Sequence, residues 1–233
     1  MTPNDVRMTR EMPMRPFSPR PFPPAALLLA AVALCLASGC SYLLGASNDP
    51  PRLFVLSTAP ADGTLALPPG TVLGLGPVDL PAYLDRRGIV WRLDANRIDE
   101  SRSDLWAEPL AAGFRSVLEQ NLRLRLPGVP IRAFPWPLAH QPDLAVAIEV
   151  SRFELTHGET VELNARWSVR SPQDGAVLLD RNAALVEPVA GPGTENAVAA
   201  MSRAAAGLAD QIARALGQQS GARPSPRRTT GAR

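Results

Sequence analysis

The chain contains no lysine; all 24 of its basic side chains are arginine. That matters for Gly70, Gly74 and Gly76, which would cradle a phosphate only with a helix start and a lysine behind them. Neither follows, so a strand packed closely against a neighbour explains these glycines better. The all-arginine set reads as the imprint of GC-rich coding DNA rather than of phosphate recognition. Histidine is limited to His140 and His157. The first sits in a proline-flanked loop and the second beside Gly158 in a hairpin turn, and each reads as a turn or surface residue without a companion. No Gly-x-Ser-x-Gly elbow presents a serine nucleophile, and no His/Cys/Asp/Glu set has zinc or EF-hand spacing. A hydrolytic triad needs nucleophile, base and orienter together. No catalytic residue, metal or cofactor is expected.

Cysteine is nearly as scarce. Cys35 lies inside an apolar stretch and Cys40 closes it, so the chain beyond them keeps no thiol for a disulfide or a metal. Charge is unevenly placed. The first 24 residues carry +2 and the last 16 carry +4, which leaves −4 on residues 25–217 within a whole-chain charge of +2. The body is mildly acidic despite the basic pI, and a nucleic-acid binder would gather its cations on the domain itself.

What is present is an N-terminal export pattern. Arg7, Arg10, Arg15 and Arg20 precede the apolar run Ala25 to Leu36, which is shorter than the ~20 residues a membrane-spanning helix requires. It suits the h-region of a signal peptide. Met8, Met12 and Met14 are alternative starts to Met1. Leu36-Ala37-Ser38-Gly39-Cys40 reads as a lipobox, cleaved between Gly39 and Cys40, with Cys40 carrying a diacylglyceryl group and an N-acyl chain. Each buried CH₂ contributes ~0.8 kcal/mol, so such an anchor is nearly permanent. Ala37 stands where such motifs more often have Leu, and a plain secretory cut leaving Cys40 as a free thiol is the alternative. Ser41 follows the anchor; without an Asp there, the expected address is the outer membrane, on its periplasmic face. The chain thus divides into a signal (1–39), a lipidated Cys with a small polar tether (40–52), one domain (53–217) and an Arg/Pro-rich tail (218–233) that reads as disordered.

Within the domain, Leu53 to Leu56 is the expected first strand, and Ala59 to Gly70 a loop punctuated by proline and glycine. Thr71 to Val78 accepts apolar residues on both faces, predicting a central strand ended by Pro77 and Pro81. Ile89 to Leu93 is a further strand. Arg97, Asp99, Glu100, Arg102 and Asp104 read as a solvated loop. Trp106, Leu110, Phe114, Val117, Leu118 and Leu122 then fall on one helical stripe, with Asp104 as candidate N-cap and Pro127-Gly128 as the stop. That stripe is a core face or the lining of a lipid or partner groove. Leu144 to Val150 alternates, and Phe153 and Leu155 switch phase, which predicts a bulge near Arg152. Val161 to Val169 is a strand with one wet face, and Ala176 to Val186 the next, after a turn at Asp174-Gly175. A second helix runs from about Glu195 to Leu216, capped by Thr194. The expected fold is α+β: a mixed, mostly antiparallel sheet with two long helices packed on one face.

Several stretches are more specific: Gly76-Pro77-Val78-Asp79-Leu80-Pro81-Ala82-Tyr83-Leu84-Asp85-Arg86, Ile89-Val90, Trp106-Ala107-Glu108-Pro109-Leu110 and Val117-Leu118-Glu119-Gln120-Asn121-Leu122. Together they resemble the ABC-type transport auxiliary lipoproteins, the PqiC-like family of membrane-integrity transporter subunits. Members usually have Pro after Leu-Asp-Arg, where this chain has Arg87-Gly88. The resemblance implies a non-enzymatic periplasmic lipoprotein that works with an MCE-domain (PqiB-like) transport protein and associated inner-membrane components. Such a system moves lipid between the two membranes and supports envelope integrity. Contact with phospholipid and self-association are left open. A lipid-carrying or structural lipoprotein without a transporter partner is the alternative. Pro81, Tyr83, Leu84, Asp85 and Arg86 are the candidate docking residues: Tyr83 offers an aromatic body with a polar tip, and Asp85 and Arg86 a directional charge pair. The same segment reads equally well as a structural corner with Tyr83 and Leu84 turned inward.

Overall fold

A long strand, Leu144–Thr156, organises the domain, because both of its edges are occupied and one of them is shared. The computed structural model describes residues 50–156 and 158–222. Gly39, Cys40, most of the tether, His157 and the chain beyond Ala222 therefore lie outside the described residues. The strands are β1 (Arg52–Phe54), β2 (Leu73–Asp79), β3 (Gly88–Asp94), β4 (Arg97–Trp106), β5 (Ile131–Ala133), β6 (Leu144–Thr156), β7 (Thr160–Arg170) and β8 (Val177–Pro188). The helices are α1 (Leu110–Arg125) and α2 (Thr194–Ala222). All eight strands join one mixed sheet.

On one edge of β6, β7 pairs antiparallel from Ala145 to Thr156, and β8 continues the meander. On the other edge β2 runs parallel along Leu144 to Glu149, and β3 takes over, also parallel, at Leu155 and Thr156. β4 pairs antiparallel with β3, while β1 and β5 close the two ends through short parallel pairings. The two longest ladders, β6–β7 and β7–β8, are antiparallel, so the sheet is mixed and mostly antiparallel, as expected for the α+β class. The register of β6 shifts between Val150 and Arg152, where the change of phase predicts the bulge.

Both helices pack on the face that carries Val146, Ile148, Val150 and Phe153 of β6 and Val161, Leu163, Ala165, Trp167 and Val169 of β7, all buried. Phe114 of α1 meets Phe153 edge-on with centroids 5.0 Å apart. Small residues at Ala200, Ala204, Ala205, Ala209 and Ala213 give α2 a narrow buried stripe that lets it lie close. Buried Arg125 ties α1 to α2: its Nε donates to Asp210 Oδ1 at 2.5 Å, and its Nη1 to the Asn121 carbonyl. The Ser57–Leu65 segment is strapped over the helix pair through Ser202 Oγ, Asn121 Oδ1 and the Arg125 carbonyl.

Four expectations are corrected. Arg97 to Trp106 is not a loop running into a helix but a ten-residue strand, so Asp104 does not cap α1 and Trp106 is not on it. The helix begins at Leu110 behind Pro109, whose missing N–H is harmless in a first turn. Pro77 does not end β2; it lies inside it after a cis Gly76–Pro77 bond, where the register with β6 slips. Thr194 is the first residue of α2 and turns its hydroxyl to Asp104, and α2 continues beyond Gly217 to Ala222. β5 lies in a stretch whose sequence predicts no element.

Gly74 and Gly76 are the close-packed positions that the sequence implies. A Cβ on Gly74 would come within 2.6 Å of Pro142 and 2.9 Å of Trp136, and one on Gly76 within 2.6 Å of Phe134. Gly76 also has φ +124°, which suits glycine alone.

Candidate docking corner

The chain leaves β2 at Asp79 and must reach the start of β3 at Gly88. It does so through a single 3₁₀ turn, Ala82–Leu84, entered from extended Pro81. Leu84 N–H returns to the Pro81 carbonyl and Asp85 N–H to that of Ala82, so the backbone is closed locally. Leu84 drops into the core. Tyr83 is half-buried, and its hydroxyl donates to Glu154 Oε2 at 2.5 Å.

Glu154 is the centre of the corner. It follows Phe153 on β6, so its side chain leaves the sheet on the face opposite the helices. It has no exposed surface. A carboxylate there needs a full set of partners, because an unpaired buried charge is costly. Arg92 Nε on β3 donates to Oε1, Tyr83 supplies the second oxygen's partner, and Arg152 Nε lies 3.7 Å away while its Nη1 bonds Glu162 at 2.6 Å. Arg92 also lies 6.0 Å from the Tyr83 ring centroid, a cation–π distance. Burial pushes the Tyr83 phenol up to about 12, and the hydrogen bond to Glu154 adds to the rise. The phenol therefore remains a donor at neutral pH.

The far side of the turn is fixed as firmly. The Trp106 N–H donates to the Arg87 carbonyl at 2.7 Å, and Gly88 N–H to Glu100 Oε1 at 2.9 Å. A Cβ at Gly88 would fall 2.2 Å from the Ser101 carbonyl oxygen, so β4 can approach only because this residue is glycine. Arg87 and Gly88 are thereby built into the β3–β4 pairing.

Three of the stretches that carry the family resemblance meet here: Gly76 to Arg86, Ile89-Val90 and Trp106 to Leu110. Among the five candidate docking residues, Leu84 is buried, Tyr83 is held by Glu154 and Pro81 is partly covered, whereas Asp85 and Arg86 are exposed. Arg87 is exposed beside them. The corner is structural on its inner side and presents charge on its outer side. Sequence reasoning missed Glu154, Arg92 and Asp104 as fixing residues, because their partners lie 50 to 90 residues away.

Asp104 does comparable work at the domain's entry. Arg52 Nε donates to Oδ1 at 2.7 Å, Thr194 donates to Oδ2, and Arg52 Nη1 bonds Glu195 at 2.6 Å. The Arg52 guanidinium holds the Asp104 carboxyl below the usual carboxylate range, against its burial, and Thr194 assists. β1, β4 and the start of α2 are joined at this carboxylate.

Exposed His140 ends a 3₁₀ turn, Leu138–His140, and its carbonyl accepts from Arg132 at 3.0 Å. Among the described residues no group of three or more His, Cys, Asp or Glu is placed to hold a metal ion, and no helix is long and apolar enough to cross a membrane.

Residues 54–213 match the model of a family described as ABC-type transport auxiliary lipoprotein component. Over 145 residues the chain is 28% identical to the intermembrane transport lipoprotein PqiC of Escherichia coli K12, a match that covers 61% of this chain and 71% of that protein. The same figures hold for PqiC of Shigella flexneri. Among solved structures, an uncharacterized protein superposes with a TM-score of 0.61 at 20% identity, covering 72% of this chain and 99% of that one. A protein from Xanthomonas campestris gives 0.55 at 15% identity, with 74% and 95% covered. These two share the fold.

Proposed function

Because the chain belongs to the family of ABC-type transport auxiliary lipoprotein components, we propose that it is an outer-membrane-anchored adaptor, lipidated at Cys40, that docks an MCE-domain transport protein. In this reading the inner-membrane components of the system supply the energy, and lipid passes between the two membranes. The chain itself carries out no reaction; it holds a docking corner at one membrane, and the tether gives that corner reach.

One observation carries the reading. Separate stretches of sequence that resemble the family converge on the Pro81–Gly88 corner, where a rigid inner side leaves Asp85 and Arg86 outermost. A turn locked from beneath presents its charges without a backbone ordering cost at binding, which favours recognition.

Crosslinking of intact envelopes followed by affinity capture and mass spectrometry tests it. An MCE-domain protein should be captured, the capture should fall several-fold for the Asp85→Ala/Arg86→Ala double variant, and the N-terminal peptide should begin at an acylated Cys40. Equal capture by the double variant would remove the corner from the interface. Capture of no transport component, or an unmodified Cys40, would sink the adaptor reading.

A further inference from the structure

An apolar cleft of about 570 Å³ opens beside the docking corner, lined by Ile89, Trp91 and Leu93 of β3, Leu155 of β6, Val189 and Ala197. Its size falls within the ~300–1,000 Å³ usual for small-ligand sites. Glycine keeps it open: Gly158, Gly191 and Gly193 border it and bring no side chains. Gly191 and Gly193 have φ of +112° and +106°, conformations that side-chain-bearing residues rarely adopt.

The charged and hydroxyl side chains of the lining are already engaged. Arg92 is bonded to the buried Glu154, and Thr194 gives its hydroxyl to Asp104. A polar metabolite would find no carboxylate and no free hydroxyl side chain in the lining to orient it. A hydrocarbon chain needs none, and the aliphatic side chains with Trp91 offer it a continuous apolar wall.

Location indicates where such a chain comes from. Thr194 borders the cleft and bonds Asp104, Asp104 bonds Arg52, and Arg52 lies just after Pro50, where residues 1–49 join the domain. With Cys40 as the anchor, the residues up to Pro50 span at most about 35 Å when fully extended. The cleft therefore lies at the end of the domain that is tethered to a bilayer. We infer that it binds one acyl chain of a membrane phospholipid. The source of that chain rests on the anchored-lipoprotein reading; the cleft and its chemistry do not.

Trp91 is a built-in reporter. The test uses the unlipidated chain from Ser41 to Arg233, which contains the whole compact unit from Pro50 onward. The probe is a lysophosphatidylcholine with a brominated acyl chain, kept below its micelle concentration. Tryptophan fluorescence should be quenched saturably at one probe per chain, and Trp91→Phe should remove most of that quenching. Ala197→Phe, which fills the cleft from α2, should weaken binding at least tenfold with an unchanged circular dichroism spectrum. If that variant does not fold, Leu155→Gln takes its place, with the same loss expected. Chain-free glycerophosphocholine should not compete with the probe, whereas a non-brominated lysophospholipid should.

Non-saturable quenching, quenching that persists in Trp91→Phe, or equal binding by the filled cleft would overturn the inference. Envelope crosslinking separates it from the adaptor reading. A wild-type chain that binds no probe, but loses its crosslinked partner when Ala197 becomes Phe, would make the cleft a socket for protein and end the acyl-chain proposal while leaving the adaptor intact.

Discussion

On its helix-covered face β6 buries Val146, Ile148, Val150 and Phe153 against α1 and α2; on the other face the same strand buries Glu154, held by Tyr83, Arg92 and Arg152. The first face is sealed by shape, the second by directional polar contacts that take up both oxygens of Glu154. Apolar packing is non-directional and accepts substitutes of similar volume, whereas a buried carboxylate accepts only groups that satisfy both of its oxygens. The difference explains why the helix side is a core and the turn side a precisely oriented corner.

The largest effect should come from opening the polar side. Glu154→Ala leaves Arg92 beside a void and should cost about 3–5 kcal/mol in chemical denaturation, the range for breaking a buried ion pair. Conservative changes then tell the faces apart. Leu118→Met on α1 should cost under about 1.5 kcal/mol. The near-isosteric Glu154→Gln should cost about 1–3 kcal/mol, because it keeps the volume but turns an acceptor into a donor facing Arg92. Equal losses would mean that packing alone governs both faces.

Next comes overpacking at Gly74, where a methyl group meets Pro142 and Trp136. Gly74→Ala should cost about 1–3 kcal/mol, with a change in near-UV circular dichroism from the displaced Trp136.

The pH limbs report on the hydrogen-bonded ionisable groups rather than on apolar packing. Asp104 has its pKa lowered on folding, so its contribution is present above the ordinary carboxylate value and is lost as pH falls through the lowered one. Asp104→Asn should flatten the acid limb of a stability profile. Tyr83 is shifted the other way: its contribution is complete below the ordinary phenol value of about 10 and is lost as pH rises toward about 12. Tyr83→Phe should flatten the alkaline limb. Core variants such as Leu118→Met should alter neither slope.

The smallest effect on stability belongs to the outer rim of the corner. Asp85→Ala/Arg86→Ala should stay within about 0.5 kcal/mol of the parent by thermal denaturation, as surface changes usually do.

The two faces also differed in how readily the sequence revealed them. The apolar alternation of β6 and β7 and the phase switch at Phe153 are visible because each strand presents one apolar face to the helices. β4 was hidden, since Arg97 to Asp104 is polar on both faces and Trp106 falls by coincidence four residues before Leu110, on the helical period. Asp104 looked like a cap because capping chemistry and buried acceptor chemistry use the same residue type. Of the candidate docking corner, the local turn is legible at Pro81 and Tyr83, and the alternative of an inward-facing Leu84 describes the inner side correctly. Its fastening to Glu154, 71 residues from Tyr83, had no local signal at all.

The length of α2 sets a distance scale for the molecule. Its 29 residues rise ~1.5 Å each, so the helix is a rod of roughly 43 Å. Its first residue is bonded to Asp104 and thus lies at the entry of the domain, near Pro50. Its last turns lie by Leu178, at the opposite end. From there the chain continues into residues 223–233, which hold four arginines and no acid. The rod therefore separates the two ends of the domain by its full length, and the arginine-rich stretch follows in sequence from the end remote from Pro50.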